Sequence, residues 1–143
     1  MARRPPEPEL IVFLDENLDG DSVADALLAA GVPIRRLSEE IDRATEDAAW
    51  LPVVAARGWA IATRDGRMRH RPAERAAIHE AGAILVVLRG GGLRGEVMAH
   101  MLLRAYPALK RLVSRYQAPM IVHLYADGRI RMTENGGRRG TRR

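Results

Sequence analysis

The sequence predicts an α/β domain in which helices cover both faces of a mainly parallel β-sheet, with a β-hairpin at the C-terminal end. Three observations lead to this prediction. Short apolar runs, too short for helices, recur along the chain. Segments whose apolar residues have helical spacing lie between these runs. Near the end, two strand-like runs flank Asp127-Gly128, a pair typical of a tight hairpin turn.

The apolar runs and the helical segments alternate in chain order. Strands are predicted for the runs at residues 10–14, 34–37, 59–63 and 83–88. Helices are predicted for the segments at residues 23–30, 46–57, 72–81 and 97–116. This alternation is typical of parallel strands joined by right-handed crossovers, with helices on both faces of the sheet.

Prolines are expected to interrupt two of these helices. Pro52 removes an amide donor, so its helix is kinked or begins later than Glu46. Pro107 is expected to divide the last helical region in two. The polar residues 38–45 predict a loop in which Thr45 caps the helix that follows.

One domain is expected over residues 1–134, because a chain of 143 residues is long enough for one core. Residues 135–143, NGGRRGTRR, predict a disordered basic tail. No apolar run approaches the roughly 20 residues of a membrane span. No apolar region follows the N-terminal charges, so we expect no secretory signal. The absence of cysteine excludes disulfides, thiolate zinc sites and cysteine nucleophiles, and it fits a cytoplasmic protein.

The net charge is +5, and the cationic residues are almost all arginine, with Lys110 the only lysine. The planar arginine fork donates paired hydrogen bonds to phosphate, which suits a nucleic-acid partner. The alternative is that arginine richness reflects the base composition of the genome. Aromatic residues make up only 4% of the chain, which argues against a surface that binds single-stranded nucleic acid by stacking its bases on aromatic rings.

Acidic residues stand where predicted strands end. Asp15 follows the first strand, Asp65 follows the third, and Asp47 lies in the first turn of the helix between them. The carboxyl ends of parallel strands meet at the edge of the sheet where ligands bind, and a right-handed crossover brings the helix start there too. Converging carboxylates repel one another, and a hard divalent cation relieves this. We therefore predict a metal site that hydrolyses phosphodiesters, with Glu16 as a further candidate ligand.

Each acid also has a structural interpretation. Asp65 can begin an Asp-Gly turn, Asp47 is a favourable charge at a helix N-terminus, and Asp15 can accept hydrogen bonds from loop amides. The metal hypothesis depends on all three reaching one edge. Glu16 directly follows Asp15, so both face one ligand only if the strand has already ended.

A basic loop follows the third strand, in the segment RDGRMRHRPAER. Beside an acidic metal site, its cations would hold the phosphate backbone of a nucleic acid. The candidate nucleic-acid-binding residues are Arg64, Arg67, Arg69 and Arg71. A solvated charged loop is the alternative. RGGGLRG, residues 89–95, can cradle a phosphate or act as a flexible connector, and it lacks the lysine and spacing of a P-loop.

Three segments together resemble the PIN-like domain of VapC-type toxins: FLDENL, TEDAAWLPVVAARGW, and ATRDGRMR followed by RPAER. The resemblance covers roughly residues 11–90. It implies a three-layer α/β/α fold, Mg²⁺- or Mn²⁺-dependent cleavage of RNA, frequent dimerisation and an antitoxin that covers the active site. Carried over, Asp15 matches the first-strand acid, Asp47 the helix acid and Asp65 the acid after the third strand.

The sequence also departs from this family. Some PIN domains have a further acid shortly after the third-strand acid, whereas Arg67 and Met68 occupy that region here. We expect a metal-dependent ribonuclease, the toxin of a toxin–antitoxin pair. A non-catalytic relative that binds nucleic acid or a protein through the arginine loop is the main alternative. A phosphoacceptor receiver domain needs a lysine at a later strand end, but Lys110 lies in a predicted helix.

Overall fold

The computed structural model describes residues 9–16, 18, 20–42 and 45–140. The strands β1 to β6 are Val12–Leu14, Ile34–Arg36, Ala60–Thr63, Ile84–Arg89, Met120–Tyr125 and Ile130–Glu134. The helices α1 to α5 are Asp21–Ala29, Leu37–Glu40, Asp47–Ala56, Pro72–Ala81 and Gly95–Arg115. The strands form one sheet, in which β1 to β5 are parallel and β6 is antiparallel. The predicted α/β fold class is confirmed.

The strand order places a crevice at one point of the sheet. The order is β2-β1-β3-β4-β5-β6, so the chain passes from β2 across β1 to reach β3. The direction in which strands are added therefore reverses between β1 and β3. In open α/β sheets, ligands bind beyond the carboxyl ends of the strands at such a reversal. Asp15 and Asp65 follow these two strands.

The sheet supports two hydrophobic cores, one on each face, because side chains alternate along every strand. On β1, Val12 and Leu14 pack in the core that contains α1 and α5. Phe13 packs in the opposite core, where its ring centroid lies 5.2 Å from that of Trp50 in α3. Burial of both faces explains why the first strand reads as a continuous apolar run.

Helix α5 lies on the same face as α1, whereas α4 lies on the opposite face with α3. Both α4 and α5 connect neighbouring strands and step across the sheet in the same direction. Their crossovers therefore have opposite hands, and the expectation of right-handed crossovers throughout is wrong. Gly90 and Gly92, with φ of 140° and 64°, let the connection before α5 turn toward the other face.

Both prolines lie inside continuous helices, Pro52 in α3 and Pro107 in α5. The predicted division at Pro107 is therefore wrong. Helix α5 buries six residues against the sheet and α1, and this packing outweighs the loss of one backbone hydrogen bond. Helix α3 begins at Asp47, one residue later than the earliest predicted start.

The segment between β2 and α3 also differs from the prediction. Leu37–Glu40 forms the short helix α2, where the end of the second strand and the start of a loop were expected. Glu46 precedes α3 in place of Thr45, and its side chain makes no capping hydrogen bond. The hydrogen bond from the Trp50 indole to Asp47 instead stabilises its first turn.

The C-terminal hairpin is present, but the residues after it are not a disordered tail. The Gln117 amide donates to the carbonyl of Gly137 (2.9 Å), and the Arg139 amide donates to the carbonyl of Arg115 (2.8 Å). The prediction is therefore wrong for residues 135–140, which pack beside the end of α5. Residues 1–8, assessed above for a secretory signal, and residues 141–143 lie outside the described part of the chain. None of the described helices combines the length and apolar character that crossing a membrane requires.

His123 on β5 is a titratable side chain within the core, only 3% exposed. Its Nε2 lies 3.2 Å from the hydroxyl of Thr133, and its Nδ1 has no hydrogen-bond partner among the described residues. Burial, with the positive charges of Arg69, Arg89 and Arg131, lowers the pKa of His123 to about 4. The imidazole is therefore neutral at pH 7.

We predict that the free energy of unfolding falls as the pH is lowered from 6.5 to about 4. In this range His123 is protonated in the unfolded chain but neutral in the folded chain, so acid favours unfolding. In His123→Gln, the decrease in the free energy of unfolding over this pH range should be smaller by up to about 3 kcal/mol. Urea denaturation across the pH range measures it, with His100→Gln, at an exposed position on α5, as control. An unchanged pH dependence in His123→Gln would contradict the prediction.

Candidate functional site

Strands β1 and β3 deliver two of the predicted acids to one edge of the sheet. Asp15 directly follows β1 and is 5% exposed, and its amide donates to the Ala62 carbonyl of β3 (3.2 Å). Asp65 lies two residues beyond the end of β3, where its amide donates to the buried hydroxyl of Thr63 (2.9 Å). Both acids therefore reach the crevice at the reversal of strand order.

Each carboxylate oxygen of Asp65 accepts a hydrogen bond. The Arg67 amide donates to Oδ1 (3.0 Å), and Nη2 of Arg71 donates to Oδ2 (2.6 Å). Burial acts to raise the pKa of Asp65, but the hydrogen bonds from Arg71 and Arg67 outweigh it and lower the pKa. The carboxylate is therefore ionised at neutral pH.

Asp47 approaches the same arginine from α3. Its Oδ1 accepts a hydrogen bond from the Trp50 indole (3.0 Å), and its Oδ2 lies 3.6 Å from Nη2 of Arg71. Burial raises the pKa of Asp47, and the negative charges of Glu74 and Asp65 raise it further against the opposing effects of Trp50 and Arg71. The acids at this edge are therefore close enough to influence one another.

Glu74, in the first turn of α4, is a third carboxylate beside Arg71. Its Oε2 lies 3.3 Å from Nε of Arg71. One guanidinium thus contacts Asp47, Asp65 and Glu74, a group that we call the acid cluster. Three carboxyl groups therefore share one guanidinium. Sequence reasoning missed Glu74, although an acid in the first turn of a helix predicted to begin at this edge was a usable signal.

The acid cluster partly fits a metal ion. Its oxygen donors suit Mg²⁺ or Mn²⁺, and Oδ2 of Asp47 and Oδ2 of Asp65 both face the same cationic nitrogen of Arg71. As the side chains stand, no three Asp, Glu or His residues within the described ranges are arranged to hold a metal ion. A metal bound between Asp47 and Asp65 would therefore have to displace Arg71.

Glu16, the further candidate ligand, lies on the other side of Asp47. Its side chain is exposed and lines a cavity of about 420 Å³ together with Asp42, Asp47 and residues of α2. This cavity presents carboxylates and hydroxyls to solvent. It is therefore the acidic side of the sheet edge.

A second cavity, of about 470 Å³, lies on the Asp65 side, and four of its nine lining residues are arginines. We call it the basic cavity, and its titratable lining comprises Arg64, Asp65, Arg67, Arg69, His70 and Arg89. Three of the four arginines predicted to bind nucleic acid line it. The fourth, Arg71, belongs to the acid cluster instead.

Arg89 joins the basic cavity from the end of β4 and was not among the predicted site residues. It directly follows the clearest apolar run in the sequence. The rule that predicted Asp15 and Asp65 applies to it equally, because β4 is the parallel neighbour of β3 and ends at the same edge.

Comparison with known proteins identifies one family. A family model described as a PIN-like domain matches residues 10–90, which is more than half of the chain. The matched segment contains the acid cluster and the lining of the basic cavity. No curated protein matches the chain. No solved structure matches it either.

We predict that Arg71→Gln lowers the free energy of unfolding by about 1 kcal/mol, because the acid cluster loses its shared cation. In that background, Glu74→Gln should restore stability by removing repulsion among the carboxylates. In the wild-type background, Glu74→Gln should bring no such gain, because it removes a partner of Arg71. Urea denaturation at pH 7 measures these variants, with Glu80→Gln, exposed on the same helix, as control. An equal effect of Glu74→Gln in both backgrounds would contradict the prediction.

Proposed function

The chain belongs to the PIN-like domain family, and we propose that it is a metal-dependent ribonuclease that acts as a cytoplasmic toxin of a toxin–antitoxin pair. The PIN-like domain is a nuclease-type fold. The observation that carries the proposal is the convergence of Asp47 and Asp65 on one cationic atom, at the edge where β1 delivers Asp15. The toxin role, the antitoxin partner and dimerisation rest on the resemblance to VapC-type toxins.

In this proposal, Asp15 and Asp65 are the principal metal ligands, and Asp47 orients the metal or its attacking water. When bound, Mg²⁺ or Mn²⁺ activates water and stabilises charge on the phosphate. Asp65 is already ionised before a metal binds, because Arg71 and Arg67 lower its pKa. The Trp50 indole holds Oδ1 of Asp47, which leaves Oδ2 directed at the shared position.

Arg71 has two partners in this proposal. It pairs with the carboxylates of the acid cluster while no metal is bound, and once displaced it can pair with a substrate phosphate. Arginine is suited to both, because the same fork binds carboxylates and phosphates. The basic cavity supplies further cations on the Asp65 side, which supports a polyanionic substrate.

We expect Asp15→Asn and Asp65→Asn to reduce RNA cleavage by about 100-fold or more, because each change removes a ligand charge while keeping the side-chain shape. Cleavage of structured and single-stranded RNA should be compared with Mg²⁺, Mn²⁺ or chelator present. Asp25→Asn, at an exposed position of α1, is the matched control and should cleave like the wild type. Circular dichroism verifies that each variant is folded.

Two outcomes would overturn the proposal. Cleavage that survives chelator and both substitutions would assign the activity to another site or to contamination. A wild-type protein that binds RNA without cutting it would favour the second candidate function, a non-catalytic module that binds nucleic acid or a protein. The observation that favours this candidate is the ion pairing of Arg71 with all three carboxylates of the acid cluster.

A further prediction concerns the shared cation position itself. If Mn²⁺ and Arg71 compete for it, Arg71→Gln should bind Mn²⁺ more tightly, and Mn²⁺ should raise its Tm by more than that of the wild type. Thermal unfolding across a Mn²⁺ titration measures the difference. Arg57→Gln, which removes an arginine paired with Glu40 outside the acid cluster, is the control. A Tm increase no larger in Arg71→Gln than in the wild type would rule out competition at this position.

A further inference from the structure

Two arginines converge across Gly66 in the basic cavity. A Cβ atom at Gly66 would lie 3.2 Å from Nη1 of Arg69 and 3.4 Å from Nη1 of Arg89. Both guanidinium groups therefore approach Gly66, whose carbonyl accepts a hydrogen bond from Nη1 of Arg69. Glycine leaves open the space that a side chain would fill, and an anion bound there would offset the repulsion between the two positive charges.

The carboxylates of the described residues leave these charges without an ion pair. In the described part of the chain, none of the four arginines of the basic cavity forms an ion pair with a carboxylate. Both oxygens of Asp65, the cavity's acid, already accept hydrogen bonds from Arg67 and Arg71. Nη2 of Arg64 donates to the Gly90 carbonyl (3.0 Å), whereas its buried Nε has no hydrogen-bond partner in the described residues. The lowered pKa of the nearby His123 is consistent with this surplus of positive charge.

We propose that the basic cavity binds the terminal phosphate of an RNA strand, with Arg69 and Arg89 as the residues that contact the phosphate. This inference rests on the proposed ribonuclease function and names the part of the RNA that is held. A terminal phosphate carries nearly two negative charges at neutral pH, whereas an internal phosphodiester carries one. Two convergent guanidinium groups match the doubly charged group better, and arginine forks donate in pairs to phosphate oxygens.

The size and place of the cavity agree with this substrate. A volume of about 470 Å³ lies within the usual range for small-ligand sites, so it can hold a terminal nucleotide. Asp65 belongs both to the cavity wall and to the acid cluster. The bound end of the strand therefore lies next to the acids, and cleavage is expected near that end.

The test measures binding in chelator, so that no cleavage occurs. Three RNA oligonucleotides of one sequence carry a 5′-phosphate, a 3′-phosphate or no terminal phosphate. Fluorescence anisotropy should show about tenfold tighter binding of one phosphorylated form than of the unphosphorylated form. Inorganic phosphate and a nucleoside monophosphate, added as competitors, distinguish a site for phosphate alone from a site for the strand end. Equal affinity for all three oligonucleotides, or displacement of the strand by millimolar phosphate alone, would overturn the proposal.

Two variants assign the effect to the cavity. Arg89→Gln removes one phosphate contact, and Gly66→Ala puts a methyl group at the point where the arginines converge. Both should abolish the preference for a terminal phosphate. Gly140→Ala, with open space around its new methyl group, and Arg111→Gln, at an exposed position on α5, should retain it. Retention of the preference in both Arg89→Gln and Gly66→Ala would overturn the proposal even if one of them were poorly folded.

The outcomes also separate this inference from the ribonuclease proposal. Binding that depends on a terminal phosphate, without cleavage in Mg²⁺ or Mn²⁺, would support the cavity and contradict the catalytic function. Metal-dependent cleavage with no preference for a terminal phosphate would support the catalytic function and contradict the cavity.

Discussion

The contact between one guanidinium and three carboxylates holds the functional edge of this domain together. Arg71 ties Asp47 at the start of α3 to Asp65 after β3 and to Glu74 at the start of α4. Without this cation, three acids from separate elements would repel one another across a partly buried space. The hydrophobic cores bring the elements to this edge, but the charge of Arg71 allows the acids to remain there together.

At this edge of the sheet, Asp65 lies between a negatively charged region and a positively charged one. On one side, Glu16, Asp42 and Asp47 line a cavity that would repel phosphate. On the other side, the arginines of the basic cavity attract it. A polyanion would therefore approach from the basic side and meet the acids only where Asp65 joins the two regions. In the proposed ribonuclease, such an arrangement would give the RNA a direction, because phosphate binding and acid chemistry would have separate places.

Several features followed from local sequence pattern alone. The apolar run before Asp15 is buried on both faces, and the alternation of apolar runs with helical segments corresponds to the observed parallel sheet. These predictions succeed because strand burial and helical spacing depend on near neighbours in the chain. Pro107 shows the limit of local rules, because its long helix continues once α1 and the sheet supply enough packing.

The sequence by itself determined that Asp15 and Asp65 stand at strand ends and that arginines follow Asp65. Only the tertiary structure decided which charges meet. Arg71 is one of several arginines in the same loop, and the positions of α3 and α4 assign it to the acids while Arg69 faces Arg89 across Gly66. The physical reason is that a salt bridge forms only where nitrogen and oxygen lie within about 4 Å of each other. Such distances between separate elements depend on how the two cores pack, which local patterns do not specify.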